Sequence, residues 1–599
     1  MKKYAVRSKI IASLFIAITS IFIIKLFYIQ ILNKNYKFSA NNNVLRYEVE
    51  QAIRGLIYDR NEKLIVANKP AYDLMIIPRE INKIDTNSLC ELTKITKKEF
   101  IEKYNLASNY SRYKESVFLK HIQLEDASRL AEKLFEFPGF YLRKITMRSY
   151  PHNFASHVIG YLGEVNTKKT QEDQYYVKGD LSGISGIEAA YEKYLRGSKG
   201  MSIKLVDVHN RDQGKFQDGK FDTIATSGKN IISTIDLELQ KLGEQLMKNK
   251  VGAIVAIEPE SGEILSLVSS PDYSLKDLTG RKRTENYKKL ITNNKKPLFN
   301  RALQGSYPPG STFKLINGLI ALQEKRIKEN SIFSCYSGYE YDKNKIVKCH
   351  PHKTPLSLDE AIEISCNSYF CMLFEKYFSS FSNMEEAYNN WYSHVRSFGV
   401  GDYLNNDFIN GNPGKLPDFN FYNKLYKKSW NANTIISMSI GQGELLLTPI
   451  QMANITSIIA NRGYFYTPHI IKKIQNTEID SAYKEKRFCS IDKKYFDIVI
   501  NGMEMVVSGD NGTALESKID GLDICGKTGT AQNPHGEDHS IFIAFAPKKQ
   551  PKIAIAVYIE NGGWGSKWAA PIGTLMIEKY LNNFNINTEK INFIINSKL

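Results

Sequence analysis

Apolar patterning divides the chain before any motif is considered. A predominantly apolar run, with Lys25 its one charge, extends from Ile10 to about Leu32. Crossing a bilayer takes about 20 residues of helix, so the run is long enough to span one. Lys2, Lys3, Arg7 and Lys9 precede it, and this positive flank predicts an N-terminus held in the cytoplasm. A cleaved signal peptide is the competing reading. The length of the run, with no small-x-small site closely after its core, favours an uncleaved anchor. No later segment has the length and apolarity of a second span, which predicts that nearly everything after residue 32 lies outside the cytoplasm.

Residues 33–235 alternate irregularly between short strand and helix patterns, without a repeat, and read as a folded, non-catalytic pedestal. Arg54-Gly55-Leu56-Ile57-Tyr58-Asp59-Arg60-Asn61 predicts a strand running into a tight turn. Gly183-Ile184-Ser185-Gly186-Ile187-Glu188 leads into a helical pattern through Tyr191 and Leu195, closed by Gly197. His152 and His157 read as structural, because no nucleophile or acid cluster accompanies them. A second domain begins near Asp236, with a helix through Leu239, Leu242 and Leu246. Residues 251–257 and 264–268 flank Pro259-Glu260-Ser261-Gly262 and predict an antiparallel hairpin. Helical patterns fill the middle, at 358–364 and 368–378. Strand patterns return at 524–532, 541–546 and 553–560. This order predicts an α+β domain over 236–590: an antiparallel sheet with a helical subdomain between its second and third strands. Residues 591–599 are expected to form a tail.

The 599-residue length fits several domains, and 42% hydrophobic with 24% charged residues is ordinary for folded cores. The net charge of +17 allows anionic neighbours, but Lys, Asn, Ile and Tyr are abundant throughout. No Arg/Lys stripe interleaved with aromatics stands out, so no nucleic-acid partner is predicted. The seven cysteines are odd in number, so at least one lacks an intramolecular partner. Four fall between Cys335 and Cys371, while Cys90, Cys489 and Cys525 are scattered and read as buried thiols.

Chemistry enters at Tyr307-Pro308-Pro309-Gly310-Ser311-Thr312-Phe313-Lys314. The two prolines and the glycine mark a helix start, after which Phe313, Ile316, Leu319, Ile320 and Leu322 recur at helical spacing. Ser311 is expected in the first turn, with Lys314 on the same face. A serine hydroxyl needs a base to become a nucleophile, and a neutral amine within reach supplies one. Alone this pair is weak evidence. Two further patterns make it specific. Ser365-Cys366-Asn367 sits at a break between helical segments, and Lys527-Thr528-Gly529-Thr530 sits on the first returning strand. Ser365 offers a proton-relaying hydroxyl and Asn367 an amide. Lys527 offers a cation for a carboxylate, and Gly529 close approach along the strand edge. The N–H groups of Ser311 and Thr530 form a candidate oxyanion hole.

Ser-x-x-Lys, Ser-x-Asn and Lys-Thr-Gly in this order resemble the penicillin-binding proteins and serine β-lactamases. Arg54-Gly55 with Asp59-Arg60-Asn61 resembles the elongated, dimerisation-type pedestal of the class B members. Ile440-Gly441-Gln442-Gly443, then Thr448-Pro449-Ile450-Gln451-Met452-Ala453, resembles their transpeptidase domain. Phe545-Ala546-Pro547 and Glu560-Asn561-Gly562-Gly563-Trp564-Gly565 are similar to the elongation branch, the penicillin-binding protein 2 group; the division-specific branch is the nearer alternative. Nothing between 33 and 235 resembles a class A glycosyltransferase domain.

The resemblance implies an inner-membrane D,D-transpeptidase that crosslinks peptidoglycan stem peptides and is inhibited by β-lactams. Ser311 would be the nucleophile, Lys314 the base, Ser365 the proton shuttle, and Lys527 with Thr528 the carboxylate site. It also implies a SEDS glycosyltransferase and elongation scaffold proteins as partners. A D,D-carboxypeptidase or β-lactamase would share the acylation and transfer to water; the pedestal and retained anchor favour crosslinking. A non-enzymatic scaffold activating the polymerase is opposed by the intact Ser311, Lys314, Ser365, Asn367 and Lys527.

Cys335, Cys349, His352 and Cys366 are three thiols and an imidazole, a set suited to tetrahedral zinc, with Cys349 and His352 at a common ligand spacing. A Cys shortly before a glycine, a second Cys and a His ahead of the Ser-x-Asn loop resemble a pattern of the elongation branch, which implies one structural zinc. His350 and Cys371 are alternative ligands. A Cys335–Cys349 disulfide, favoured by an oxidising compartment, or simple buried thiols are the competing readings.

Overall fold

A computed structural model describes residues 2–32, 44–81, 83–207, 212–582 and 587–599. Residues 33–43, where the pedestal was expected to begin, and Met1 of the expected cytoplasmic tail lie outside the described residues. Helix α1 (Lys2–Phe27) runs on into a π-helical turn, Tyr28–Leu32. It is long and apolar enough to cross a membrane. Leu14, Phe15, Ile21 and Phe22 are all exposed on it.

The chain divides into two compact units. The first is Met1–Arg54, Asn68–Met147 and Arg196–Gly228; the second is Gly55–Ala67, Arg148–Leu195 and Lys229–Leu599. Within the first, Leu45–Glu50, Gly200–Val206 and Asp212–Lys215 form an antiparallel sheet. A separate small core gathers Leu74, Leu89, Phe100, Phe118 and Phe140. Phe118 meets the Phe100 and Phe140 rings edge-on at 5.2 and 5.1 Å, the geometry that aromatic quadrupoles favour.

Within the second unit, β1 (Ile57–Tyr58) ends in the expected turn. The buried Asp59 carboxylate accepts the N–H groups of Asn61 and Lys63 at 2.9 and 2.7 Å, which fixes the reversal. Parts of the expected pedestal are built into this unit. β2 (Ile231–Ser233) runs parallel to β1. Arg148 reaches Glu188 at 2.7 Å in a buried pair and donates to the Gly55 carbonyl at 2.7 Å. Helix α2 (Leu237–Leu246) starts at Asp236, whose side chain accepts from the N–H groups of Glu238 and Leu239, a standard N-cap.

β3 (Gly252–Ile257) and β4 (Ile264–Ser270) form the expected hairpin, with Val255 opposite Leu267. The helical subdomain follows. Its central helix is α3 (Lys314–Gln323), then α4 (Leu358–Glu363) and α5 (Asn367–Phe378). The sheet resumes with β5 (Cys525–Ala531), β6 (His539–Ala546) and β7 (Ile553–Ile559), all antiparallel, in the order β4-β3-β7-β6-β5. Every residue of β3, β4 and β7 is buried. Helices Pro449–Ala460 and α6 (Ala569–Asn582) pack on this sheet, so its strands read as unbroken apolar runs rather than alternating ones. β5 is an edge strand: no other described strand pairs with its outer side.

Two sequence expectations are corrected here. Ser311 is not in the first α-turn. Gly310–Phe313 is a 3-10 turn, and α3 begins at Lys314. Gly310 has φ +55°, outside the right-handed helical region, so the α-helix cannot extend back through it. In a 3-10 turn side chains three apart eclipse, which keeps Ser311 and Lys314 on one face. Residues 591–599 are not a free tail either. Helix Thr588–Asn596 includes most of them, with Ile594 buried. Lys250 Nζ donates to the Ile594 carbonyl at 2.5 Å, an interaction that favours a cation at a helix C-terminus.

Candidate active site

α3 is buried from Lys314 through Leu322, so it is a core helix rather than an amphipathic one. Burial brings Lys314 into a dry environment at the point where three chain segments meet. Its Nζ donates to the Ser365 carbonyl at 2.7 Å, to Ser365 Oγ at 3.3 Å and to Asn367 Oδ1 at 2.7 Å. Burial pushes the Lys314 ammonium down to about 8, against smaller upward pulls from the thiols of Cys366, Cys349 and Cys371. Desolvation penalises the charged form, and the result is an amine with an accessible neutral state.

Ser365 presents both oxygens to Lys314 because its backbone is left-handed, at φ +59°. For a non-glycine residue this conformation costs about 1–2 kcal/mol. The Ser365 and Cys366 N–H groups hold it by donating back to Ile362 and Ala361. Asn367 opens α5, and its Nδ2 donates to the Lys348 carbonyl at 2.8 Å. With Oδ1 toward Lys314 and Nδ2 toward Lys348, its amide orientation is fixed by both partners.

Lys527 is buried on β5 and lies close enough to Lys314 for their charges to repel. Burial first, and then Lys314, lower it well below the usual lysine range. Its Nζ donates to the Thr528 carbonyl at 3.0 Å. The Thr528 hydroxyl meets that of Thr513 at 2.6 Å. An amine and hydroxyls at the end of an open strand edge offer hydrogen-bond donors to a carboxylate, whose negative charge would favour the protonated form of Lys527.

The nucleophile turn sits directly on this strand. A Cβ at Gly529 would lie 3.1 Å from Thr312 Cγ2 and 3.3 Å from the Pro309 carbonyl oxygen. A Cβ at Gly310 would lie 2.8 Å from the Thr530 carbonyl oxygen. The face of the strand beside Gly529 is thus taken by the chain's own turn, which leaves no room for a side chain there. Ser311 is partly exposed, and no hydrogen bond to its hydroxyl is found among the described residues.

The structure brings together Ser311, Lys314, Ser365, Asn367, Lys527, Thr528, Gly529 and Thr530. Thr513 and the turn at Gly441 also belong to the site. Gly441 was visible only as part of Ile440-Gly441-Gln442-Gly443, and Thr513 carried no sequence signal.

The cysteine cluster lies beneath the same loop. The ligand atoms of Cys335, Cys349, His352 and Cys366 all fall within 4.8 Å of one another. Cys349 Sγ is 3.8 Å from Cys366 Sγ and 3.4 Å from His352 Nε2. Four tetrahedral ligands at zinc bond lengths sit about 3.5–3.8 Å apart, so the spacing fits a metal. His352 Nδ1 lies 2.7 Å from the Lys353 carbonyl and must be the protonated nitrogen there, which leaves Nε2 as a lone-pair donor. All seven cysteines are free thiols. His350 stacks edge-on against His352, and Cys371 Sγ meets Ser439 Oγ at 3.3 Å; neither belongs to the group of four. His157, buried and pushed down to about 3 chiefly by burial, packs edge-on against Tyr273 at 5.1 Å.

The arrangement can acylate its own serine: a hydroxyl, a buried amine of lowered pKa, a second hydroxyl on that amine, and a second lysine at an open strand edge. The amine acts only when neutral, so acylation should rise as pH passes upward through about 8. The first-order acylation rate constant, measured against pH with a fluorescent penicillin, checks this. A rate flat between pH 6 and 9 would contradict it.

Residues 252–578 match the penicillin binding protein transpeptidase domain, and residues 49–233 match the penicillin-binding protein dimerisation domain. A curated relative named peptidoglycan D,D-transpeptidase MrdA, from Haemophilus influenzae, is 29% identical, covering 97% of this chain and 92% of its own length. Two solved structures are similar at 26% identity. One is a complex between penicillin-binding protein (PBP2) and MreC from Helicobacter pylori, with TM-score 0.74, covering 90% of this chain and 100% of that chain. The other is Pseudomonas aeruginosa PBP2 in complex with WCK 5153, with TM-score 0.67, covering 91% and 99%.

Proposed function

The chain belongs to the penicillin-binding protein transpeptidase family, and on that premise we propose how its residues carry out peptidoglycan D,D-transpeptidation in cell-wall elongation. The observation that carries the assignment of roles is Lys314: buried, lowered to about 8, and held on Ser365 and Asn367. Ser311 Oγ attacks the carbonyl carbon between the two terminal D-Ala residues of a donor stem peptide, and neutral Lys314 takes its proton. The N–H groups of Ser311 and Thr530 stabilise the oxyanion. The carbon–nitrogen bond breaks as Ser365 relays a proton to the departing amine of D-Ala. Lys527 and the Thr528 hydroxyl hold the terminal carboxylate. An amine of a neighbouring stem peptide then attacks the acyl-serine and restores Ser311. β-Lactams acylate the same serine.

α1 supports a single-pass anchor in the inner membrane. We place residues 1–9 in the cytoplasm, 10–32 in the bilayer and the catalytic domain in the periplasm. The domain division proposed is a pedestal to about 235 in sequence, followed by the transpeptidase domain. A SEDS glycosyltransferase and elongation scaffold proteins are the proposed partners; the similar Helicobacter pylori structure is a complex of PBP2 with MreC.

A fluorescent penicillin should label the wild type and not Ser311→Ala. With purified stem peptides, preferably beside the partner polymerase, crosslinked dimers are expected. Hydrolysed tetrapeptide alone would replace this reading with a carboxypeptidase.

Zinc is the metal proposed for Cys335, Cys349, His352 and Cys366. The four donors would close a tetrahedral site and leave no position for a catalytic water, so its work is to brace the loop carrying Ser365 and Asn367. Elemental analysis of protein purified without chelator should give about one zinc per chain. Metal removal should slow acylation while Ser311 itself is unchanged. Zinc-free protein with full penicillin reactivity would sink the idea.

A further inference from the structure

Gln442 stands in the Ile440-Gly441-Gln442-Gly443 turn and has no part in the roles above. Its Nε2 donates to the Thr530 carbonyl at 3.1 Å. A carbonyl only accepts, so the amide nitrogen must face it. Gln442 is half-buried, with its backbone N–H held by the Ser437 carbonyl at 3.0 Å. The preceding residue, Gly441, accepts the Gly310 N–H at 2.9 Å. One dipeptide therefore joins the turn carrying Ser311 to the strand carrying Thr530.

The dipeptide is itself fixed. Asn317 on α3 donates to the Met438 and Ser439 carbonyls at 3.2 and 3.1 Å, and Trp391 Nε1 holds the Asn317 oxygen at 3.0 Å. A clasp anchored this way sets the distance between the two segments rather than following them. Thr530 is otherwise constrained by its pairing with Ser540, on the inner side of β5 only. On the outer side its carbonyl accepts from Gln442 Nε2; in an extended strand a residue's N–H and carbonyl face the same edge, so holding the carbonyl outward keeps the Thr530 N–H at that outer edge.

The geometry points to Gln442 as a positioning residue for acylation: its side-chain amide orients Thr530 so that the N–H groups of Ser311 and Thr530 converge on one oxyanion. The inference rests on the transpeptidase reading above. It predicts a loss in the acylation step rather than in binding, since no bond to the ligand is removed.

The test uses the full-length protein in detergent with a fluorescent penicillin, separating the dissociation constant of the first complex from the first-order acylation constant. Gln442→Met keeps the length and loses the donor. It should lower the acylation constant by about tenfold to a hundredfold, with little change in the dissociation constant or the thermal midpoint. Gln442→Glu supplies a signature that a merely structural role would not give. As a carboxylate it repels the Thr530 carbonyl; below about pH 4.3, the ordinary glutamate value, its protonated form donates again. Relative to wild type at the same pH, Gln442→Glu should recover on acidification, and Gln442→Met should not.

Acylation of Gln442→Met at the wild-type rate would overturn the inference, as would a Gln442→Glu deficit that persists unchanged at acid pH. A loss of Gln442→Met activity that tracks a lowered thermal midpoint would also overturn it, in favour of a packing role. Failure of wild type to label would overturn instead the reading on which it rests.

Discussion

Lys314→Arg is expected to lose acylation by roughly a thousandfold, the scale of a removed general base, although it keeps the positive charge. Two properties of the site decide this. Arginine cannot be neutral at any working pH, so no group is left to take the Ser311 proton. The guanidinium is also a planar fork, whereas the Lys314 amine sends short bonds to three acceptors on two residues, at 2.7, 3.3 and 2.7 Å. The larger head in a fully buried position must displace Ser365 or Asn367. The measurement is the first-order acylation constant by stopped flow, beside a thermal melt that separates lost chemistry from lost fold. Acylation of Lys314→Arg near the wild-type rate would remove Lys314 from the base role and leave Ser365 to be tested.

Gly441→Ala should fold and yet fail to acylate. Gly441 has φ +69°, and an added Cβ would stand 2.1 Å from the Gly310 carbonyl oxygen. That distance cannot exist, and the obstructing atom is backbone, so the nucleophile turn must move. The left-handed backbone adds about 1–2 kcal/mol for a residue with a side chain. A shift of about 1 Å in a reacting group costs on the order of a hundredfold, so the acylation constant should fall by at least about that factor. Near-UV circular dichroism should show retained tertiary packing. Wild-type acylation would mean that the turn and the 441–442 dipeptide move together without disturbing Ser311.

The site is thus a convergence of segments distant in sequence. The motif residues were recognisable because their chemistry is narrow: a serine three before a lysine, a serine two before an asparagine, and a lysine before small residues. Their local contexts were recognisable too. Pro308 and Pro309 begin a helix, α4 and α5 break at Ser365, and the β3–β4 hairpin turns at Gly262. Each depends on interactions within a few residues, through fixed φ, missing N–H groups or strand alternation.

What the amino-acid sequence determined by itself was the main elements, the N-terminal apolar helix, the candidate nucleophile and the four residues of the candidate metal cluster. Tertiary structure decided the rest. Lys314 gains its lowered pKa only because distant segments exclude water from it, and desolvation cannot be computed from neighbours in the chain. Gly310 read as a helix-start marker and Gly441 only as part of Ile440-Gly441-Gln442-Gly443; their requirement is the closeness of Thr530 and of each other. Residues 148–195 read as pedestal and lie within the match to the dimerisation domain, and the fold places them in the same compact unit as residues 229–599, with Tyr191 Oη donating to Asp407 at 2.8 Å and Tyr273 Oη to the Ser156 carbonyl at 3.1 Å. Local preference acts over a few residues, whereas burial, close approach and charge coupling depend on whatever the fold brings alongside.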